Sequence, residues 1–234
     1  MTFILISNDD GIDSPALPPL ARAMATVADR VEVVVPDGER SWISKAITRF
    51  DDIRVQQVTI EAIPMTSVTG SPADCVQLGV HNLFDQRPDL VVTGINIGSN
   101  YGSAFTVGSG TVGAALEGAI SGIDSVALSA TSLGESFRDW ATRMRRSESE
   151  PIWARLADVG RAIVADVLEH GLGDLVDVLS VNMPDNATPD TPRLVTSLAV
   201  THYQRLFQEH GEGLYRHDWI SNSIDHRGDP KGTD

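Results

Sequence analysis

The stretch Phe3-Ile-Leu-Ile-Ser7, closed by Asn8-Asp9-Asp10-Gly11, constrains this chain more than any other. The first five residues are apolar enough for a short buried strand. They run straight into an amide, two adjacent carboxylates and a glycine. Ser14 then offers a cap for a helix with Pro15 in its first turn, where a missing N–H is harmless. Leu17, Leu20, Ala21, Met24 and Ala28 fall on one face of that helix. Strand, acidic turn, helix is how an α/β protein places charge at the carboxyl edge of its sheet, where ligands bind. Adjacent carboxylates repel, and a hard cation between them is the simplest way to keep both ionised. A solvated Asn/Asp turn that merely starts a helix is the plainer reading of the same residues.

Arg30 to Pro36 is a second central strand, dense in valine, and the helix between it and the first predicts a right-handed crossover. The loop after it, Asp37 to Ser44, comes to the same edge as the aspartates if the sheet is parallel. It carries the hydroxyls of Ser41 and Ser44, and positive charge from Arg40, with Lys45 and Arg49 beyond. Residues 50–66 show two short alternations, an antiparallel edge or small hairpin. Ser71, Pro72 and Asp74 then form a capping box at the start of the next helix. Cys75 on that helix reads as a small buried residue, and His81 as surface or packing.

Leu90 to Thr93 is a third central strand. Its exit, Gly94-Ile-Asn-Ile-Gly-Ser-Asn-Tyr-Gly102, holds three glycines and two asparagines in nine residues. That composition permits tight turns and close approach of a ligand. Asn96 can present an amide oxygen to a cation, and Asn100 can bond to phosphate or to the loop. Gly108-Ser109-Gly110-Thr111 opens another helix, packed through Val112, Ala115, Leu116 and Ala119; its hydroxyls and free N–H groups form a plausible phosphate cradle. The lysine of a Walker loop is missing, which disfavours an ATP-hydrolysing motor. No ordered GxGxxG follows the first strand, which weakens a dinucleotide-binding reading.

A further strand is expected at Ser125 to Ser129 and the last core strand at Val176 to Asn182. Between them lie a polar surface insertion or connector at 131–150, with Trp140 as its apolar anchor, and a helix from about Pro151 to His170 closed by Gly171. Leu194 to Thr201 and Gly213 to Trp219 look like a long extended hairpin, unstable unless packed on something else. The expected organisation is therefore a Rossmann-like core over residues 1–184 and an extended oligomerisation arm and tail over 185–234. The fold class is α/β: a mostly parallel sheet between helices, with a C-terminal hairpin arm.

Composition narrows the function. The 234 residues carry a formal net charge of -14, which argues against broad nucleic-acid or anionic-membrane binding. An anionic small substrate remains compatible, because a bound divalent ion and helix N-termini reverse the potential locally. Neither a secretory leader nor an apolar run of about 18 residues is evident. The single cysteine suits a reducing compartment, and a cytoplasmic location is expected.

Together, Ser7-Asn-Asp-Asp-Gly11, Arg40-Ser41, Gly70-Ser-Pro-Ala-Asp-Cys75, Gly94-Ile-Asn-Ile-Gly-Ser-Asn100 and Ser109-Gly-Thr111 resemble the survival protein SurE family, metal-dependent 5'-nucleotidases. The resemblance covers roughly the first 180 residues. It implies one divalent cation per subunit, Mg²⁺ or Mn²⁺, held by Asp9, Asp10, Ser41 and Asn96, with the two aspartates also catalytic. It places Asn8, Arg40, Asn100, Ser109, Gly110 and Thr111 around the substrate phosphate. It implies hydrolysis of nucleoside monophosphates, chiefly 5'- and 3'-, and dimers or tetramers built through C-terminal arms. Water activated by the metal is the preferred nucleophile, with attack by Asp9 the other reading.

Three departures stand out: Ser14-Pro15-Ala16 where Ala-Pro-Gly is common, Trp42 where glycine is common, and an end at Gly232-Thr-Asp234 where the family usually continues. The last would bear on subunit contacts more than on metal ligands. The alternatives are a non-catalytic nucleotide-binding homologue and a Rossmann-like nucleotide or sugar-nucleotide transferase.

Overall fold

The computed structural model describes residues 1–218, 224–226 and 231–234. Two compact units divide the chain, one formed by residues 1–100 and 108–192, the other by 101–107 and 193–234. The first holds a seven-stranded sheet. In chain order its strands are β1 (Phe3–Ser7), β2 (Arg30–Pro36), β3 (Val55–Ile60), β4 (Ile63–Val68), β5 (Leu90–Ile97), β6 (Ser125–Thr131) and β7 (Val178–Pro184). They lie in the order β3-β4-β2-β1-β5-β6-β7, parallel except for β3, which turns back antiparallel along β4. The α/β fold expected from sequence is the one observed, and residues 50–66 supply the antiparallel edge.

All five residues of β1 are buried, because the strand has packed helices on both faces. Ile4 and Ile6 point to one side, with α1 (Leu17–Met24), α5 (Phe137–Met144) and α6 (Glu150–His170). Leu5 points to the other, against Cys75, Val76 and Val80 of α2 (Pro72–His81) and Ala114 of α4 (Gly110–Ile120). This is the alternation that a period of two requires.

Two helices differ from expectation in detail. α1 begins at Leu17, not beside Pro15, because Gly11 and Ser14 first close a turn of their own. Ser14 therefore does not cap; its hydroxyl is buried and without a partner among the described residues, while Pro18 and Pro19 occupy the helix's first turn. In α4 the buried positions include Val112, Ala114, Ala115 and Gly118, and Leu116 is exposed. Gly118 lies so close to Ser125 on β6 that the helix packs there through small residues.

Residues 131–150, expected as a polar surface insertion or connector anchored by Trp140, contain regular structure. They form α5 and a 3-10 turn at Ser147–Ser149, with Trp140, Ala141 and Met144 buried. The buried indoles are satisfied: Trp140 Nε1 donates to Asp185 at 3.0 Å and Trp153 Nε1 to the Met144 carbonyl at 2.9 Å.

In the second unit, β8 (Thr201–Tyr203) pairs with β11 (Ile224–His226), and β9 (Phe207–Gly211) forms an antiparallel hairpin with β10 (Leu214–His217). The C-terminal hairpin is present, but Leu194–Thr201 is not one of its strands. The short Gly211-Glu-Gly213 turn brings closer segments together first, in keeping with the low cost of local closure. Trp219, expected in the second strand, lies outside the described residues. The helix α3 (Gly102–Gly108) begins in this unit, where Ala104 N–H donates to Thr201 Oγ1 at 3.0 Å. Among the described residues, no helix is long and apolar enough to cross a membrane.

Asp74 is a buried carboxylate that helps hold the loop after β2 to the core. Asp74, 3% exposed, completes the capping box with Ser71 and also accepts from Thr48 N–H at 3.0 Å and from the Thr48 hydroxyl at 2.6 Å. Asp74→Ala leaves these buried donors unanswered and should cost roughly 3 kcal/mol. The urea midpoint at constant m-value measures it.

Candidate functional site

The carboxyl ends of β1, β2 and β5 meet where the chain order reverses about β1, the place where an open α/β sheet forms its crevice. The Asn8-Asp9-Asp10-Gly11 turn sits there. Asn8 closes it: its amide donates to the Gly11 carbonyl at 3.1 Å, and its carbonyl oxygen accepts from Gly11 N–H at 3.2 Å.

Asp9 is 4% exposed and held from two directions. The Arg40 N–H donates to its main-chain carbonyl at 2.7 Å, joining the loop after β2 to the turn. The Thr111 hydroxyl, in the first turn of α4, donates to its carboxylate. That approach depends on Gly110, since a Cβ there would sit 2.8 Å from the Asp9 Cβ. Asp10, with its side chain 5% exposed, accepts from Ile97 N–H at 3.0 Å. This N–H becomes available where β5 breaks register against β6 between Thr93 and Asn96. Gly94 makes the break sterically possible: at φ 118, a Cβ would lie 2.2 Å from the Leu128 carbonyl oxygen.

Asn96 lies beside Ile97, within β5 and not after it. Its side-chain N–H donates to the Gly98 carbonyl at 2.6 Å, and its Oδ1 has no partner among the described residues. Ser41 follows Arg40 and donates to Glu39 at 2.7 Å, which leaves lone pairs on its oxygen. Trp42 adopts φ 60 and Ser44 φ 58, conformations unusual for side-chain-bearing residues. At Trp42 the backbone thus keeps a shape suited to glycine.

The remaining expected site residues have other partners. Ser109 caps α4, accepting from Val112 N–H at 3.1 Å. Asn100 donates to Ser129 on β6 at 2.8 Å and, through its main-chain N–H, to Asn182 on β7 at 2.7 Å. The Arg40 guanidinium donates to Asp37 at 2.7 Å. Lys45 pairs with the buried Glu117 of α4, which also accepts from Gln77.

Two charged residues enter the site without having been expected there. Glu39 lies in the loop after β2, and Arg145 at the end of α5. The Arg145 Nη2 stands 3.4 Å from Glu39 and 3.9 Å from Asp10. The Glu39 signal, an acid inside a loop already at the sheet edge, was readable. Arg145 carries no local signal, because its position depends on how α5 packs.

Burial dominates the electrostatics. It raises Asp9 to about 6, against the hydrogen bond from Thr111. Burial and then the neighbouring Asp9 charge raise Asp10 to about 8, against Ile97 N–H and Arg145. Among the described residues no three His, Cys, Asp or Glu side chains gather as a metal cluster. The arrangement offers two carboxylates and neutral oxygens instead.

A family model described as Survival protein SurE matches residues 4–205. The chain belongs to the SurE family. The 5'-nucleotidase SurE of Methanocella arvoryzae is 35% identical over 240 residues, spanning 100% of this chain and 86% of the relative. That of Methanosarcina acetivorans is 35% identical over 236 residues, spanning 99% and 85%. The crystal structure of the SurE protein from Aquifex aeolicus matches with a TM-score of 0.71 at 27% identity, over 99% of this chain and 86% of that one.

The raised carboxylates in this SurE chain carry a pH consequence. Folding lifts both pKa values, so the native state holds protons that the unfolded chain releases. The resulting stabilisation is full below about pH 4 and is lost as the pH rises through about 6 and 8. In chelator, the stability of Asp10→Asn relative to wild type should rise from pH 5 to pH 8.5 by on the order of 4 kcal/mol. Urea unfolding at the two pH values tests this.

Proposed function

We propose that this SurE-family chain is a divalent-metal-dependent phosphomonoesterase hydrolysing nucleoside monophosphates. Family membership supports a phosphatase-like hydrolytic function. The observation that carries the finer reading is the pair of buried carboxylates, Asp9 and Asp10, beside an unpartnered Asn96 oxygen and the first turn of α4. Two hard anionic oxygens, an amide oxygen and a nearby hydroxyl suit Mg²⁺ or Mn²⁺ better than a softer ion. Asp9, Asp10, Asn96 and Ser41 are the residues that would hold it. Such a cation supplies Lewis-acid polarisation of phosphoryl oxygens and a lowered pKa for water.

The chain's own residues would do the rest. The Thr111 hydroxyl donates a hydrogen bond to Asp9, fixing the carboxylate and favouring its charged form. Ile97 N–H does the same for Asp10. The start of α4, at Gly110, is the expected phosphate-facing surface, capped on one side by Ser109, while the Thr111 N–H is directed at the Asp9 carboxylate. Water would attack phosphorus as the bond from phosphorus to the ester oxygen breaks, one water proton ending on the nucleoside hydroxyl and inorganic phosphate remaining. Asn8 and Asn100 would act indirectly, by shaping the acidic turn and the exit of β5. The second unit leaves Val195, Leu198, Phe207, Leu214 and Tyr215 exposed, which supports self-association as a dimer or tetramer.

Phosphate release from a nucleoside monophosphate panel should vanish on chelation and return with Mg²⁺ or Mn²⁺. Asp9→Asn should lower kcat/KM at least roughly 100-fold while the far-UV circular dichroism is retained. Metal-independent release, or near-normal turnover in that variant, would overturn the reading.

A further inference from the structure

Charge accounting leaves this site short of positive charge. Ionised Asp9 and Asp10 just balance a divalent ion, and a phosphate monoester then brings close to two more negative charges. Glu39 stands beside the pair and adds another. The N-terminus of α4 offers only about half a positive charge. A dianionic substrate entering here needs a side-chain cation as well.

The two basic side chains nearest in the loop after β2 are committed elsewhere. Arg40 donates to Asp37 at 2.7 Å, and Lys45 is held by the buried Glu117 of α4. Arg145 differs. One of its terminal nitrogens donates to the Ala141 carbonyl at 3.4 Å, and the other stands 3.4 Å from Glu39. The same nitrogen lies 3.9 Å from Asp10, too far for a hydrogen bond. Its other N–H groups have no partner among the described residues. The Arg145 side chain is 42% exposed while the Asp10 side chain is 5% exposed, so the cation approaches Asp10 from the solvent side.

From this geometry we propose that Arg145 is a catalytic residue of the SurE site, binding the phosphoryl oxygens of the substrate while Glu39 holds the guanidinium in place. The inference rests on the phosphatase reading above and extends it to a residue from the 131–150 segment. A planar fork of N–H donors suits two phosphoryl oxygens at once, which an ammonium cannot match. With Asp10 engaged by a divalent ion, its pull on Arg145 weakens and the fork is free to turn to the phosphate. The step adds no bond to Arg145; it stabilises negative charge on the equatorial oxygens as the ester bond breaks.

Arg145→Gln keeps a polar, unbranched stem, shorter by the guanidinium end, but removes the charge. It should lower kcat/KM for nucleoside monophosphates on the order of 100-fold and weaken competitive inhibition by inorganic phosphate on the order of tenfold. Arg145→Lys should recover part of both. Mn²⁺ affinity, by titration calorimetry without substrate, should be unchanged or tighter in Arg145→Gln, because a nearby positive charge has gone. Phosphate inhibition and kcat/KM within twofold of wild type would overturn the proposal. So would a loss of Mn²⁺ affinity that accounts for the loss of activity, which would make Arg145 a positioning residue for Asp10. If wild type releases no phosphate with any metal, the phosphatase reading fails by itself. Calorimetry of inorganic phosphate with Mn²⁺-treated wild type and Arg145→Gln then decides the clamp: weaker binding in the variant supports it, and equal or undetectable binding in both overturns it.

Discussion

Keeping two adjacent carboxylates out of water is the constraint on which this structure depends. Asp9 and Asp10 follow one another, and here the charge of Asp9 is felt at Asp10. The fold answers with separate donors from opposite sides: the Thr111 hydroxyl to Asp9 and the Ile97 N–H to Asp10. Each donor requires an unusual backbone nearby. Gly110 lets α4 touch the turn, and Gly94 lets β5 slip against β6. The rest of the sheet then serves as a rigid frame for these two contacts, with packed cores on both faces of β1.

These donors are not enough to make the pair comfortable as charges. Burial still raises both pKa values. A site of this kind is stable when protonated and functional when ionised, and an opposing charge reconciles the two states. The guanidinium of Arg145, above Asp10, supplies part of that opposition from the polymer itself.

Much of this was legible in the sequence because the signals are local. Apolar runs ended by turn residues located β1, β2 and the start of β5. Ser71, Pro72 and Asp74 announced the capping box, and Ser109 the start of α4. The acidic turn and the Gly94 to Gly102 segment announced the sheet edge. What escaped was set by packing at a distance. Phe137, Trp140, Ala141 and Met144 have helical spacing, but the charges between them masked it, and burial of Trp140 beside Asp185 decided the matter. The role of Ser14 was misread because the Gly11 turn used the residues that a helix cap would have needed. Hydrogen-bond partners such as Asn182 for Asn100 link residues far apart in the chain, and no local pattern reveals them.

Cys75 has a consequence of its own. It is the one sulfhydryl in the sequence, and it lies fully buried on α2 against the face of the sheet that holds Leu5 of β1. Burial raises its pKa far above the ordinary thiol value, so the native chain presents almost no thiolate. An electrophile or oxidant would meet it only after α2 lifts away, an opening that also exposes the strand carrying the aspartates. The thiol is thus a built-in reporter, whose reactivity tracks how often the packing beneath α2 opens.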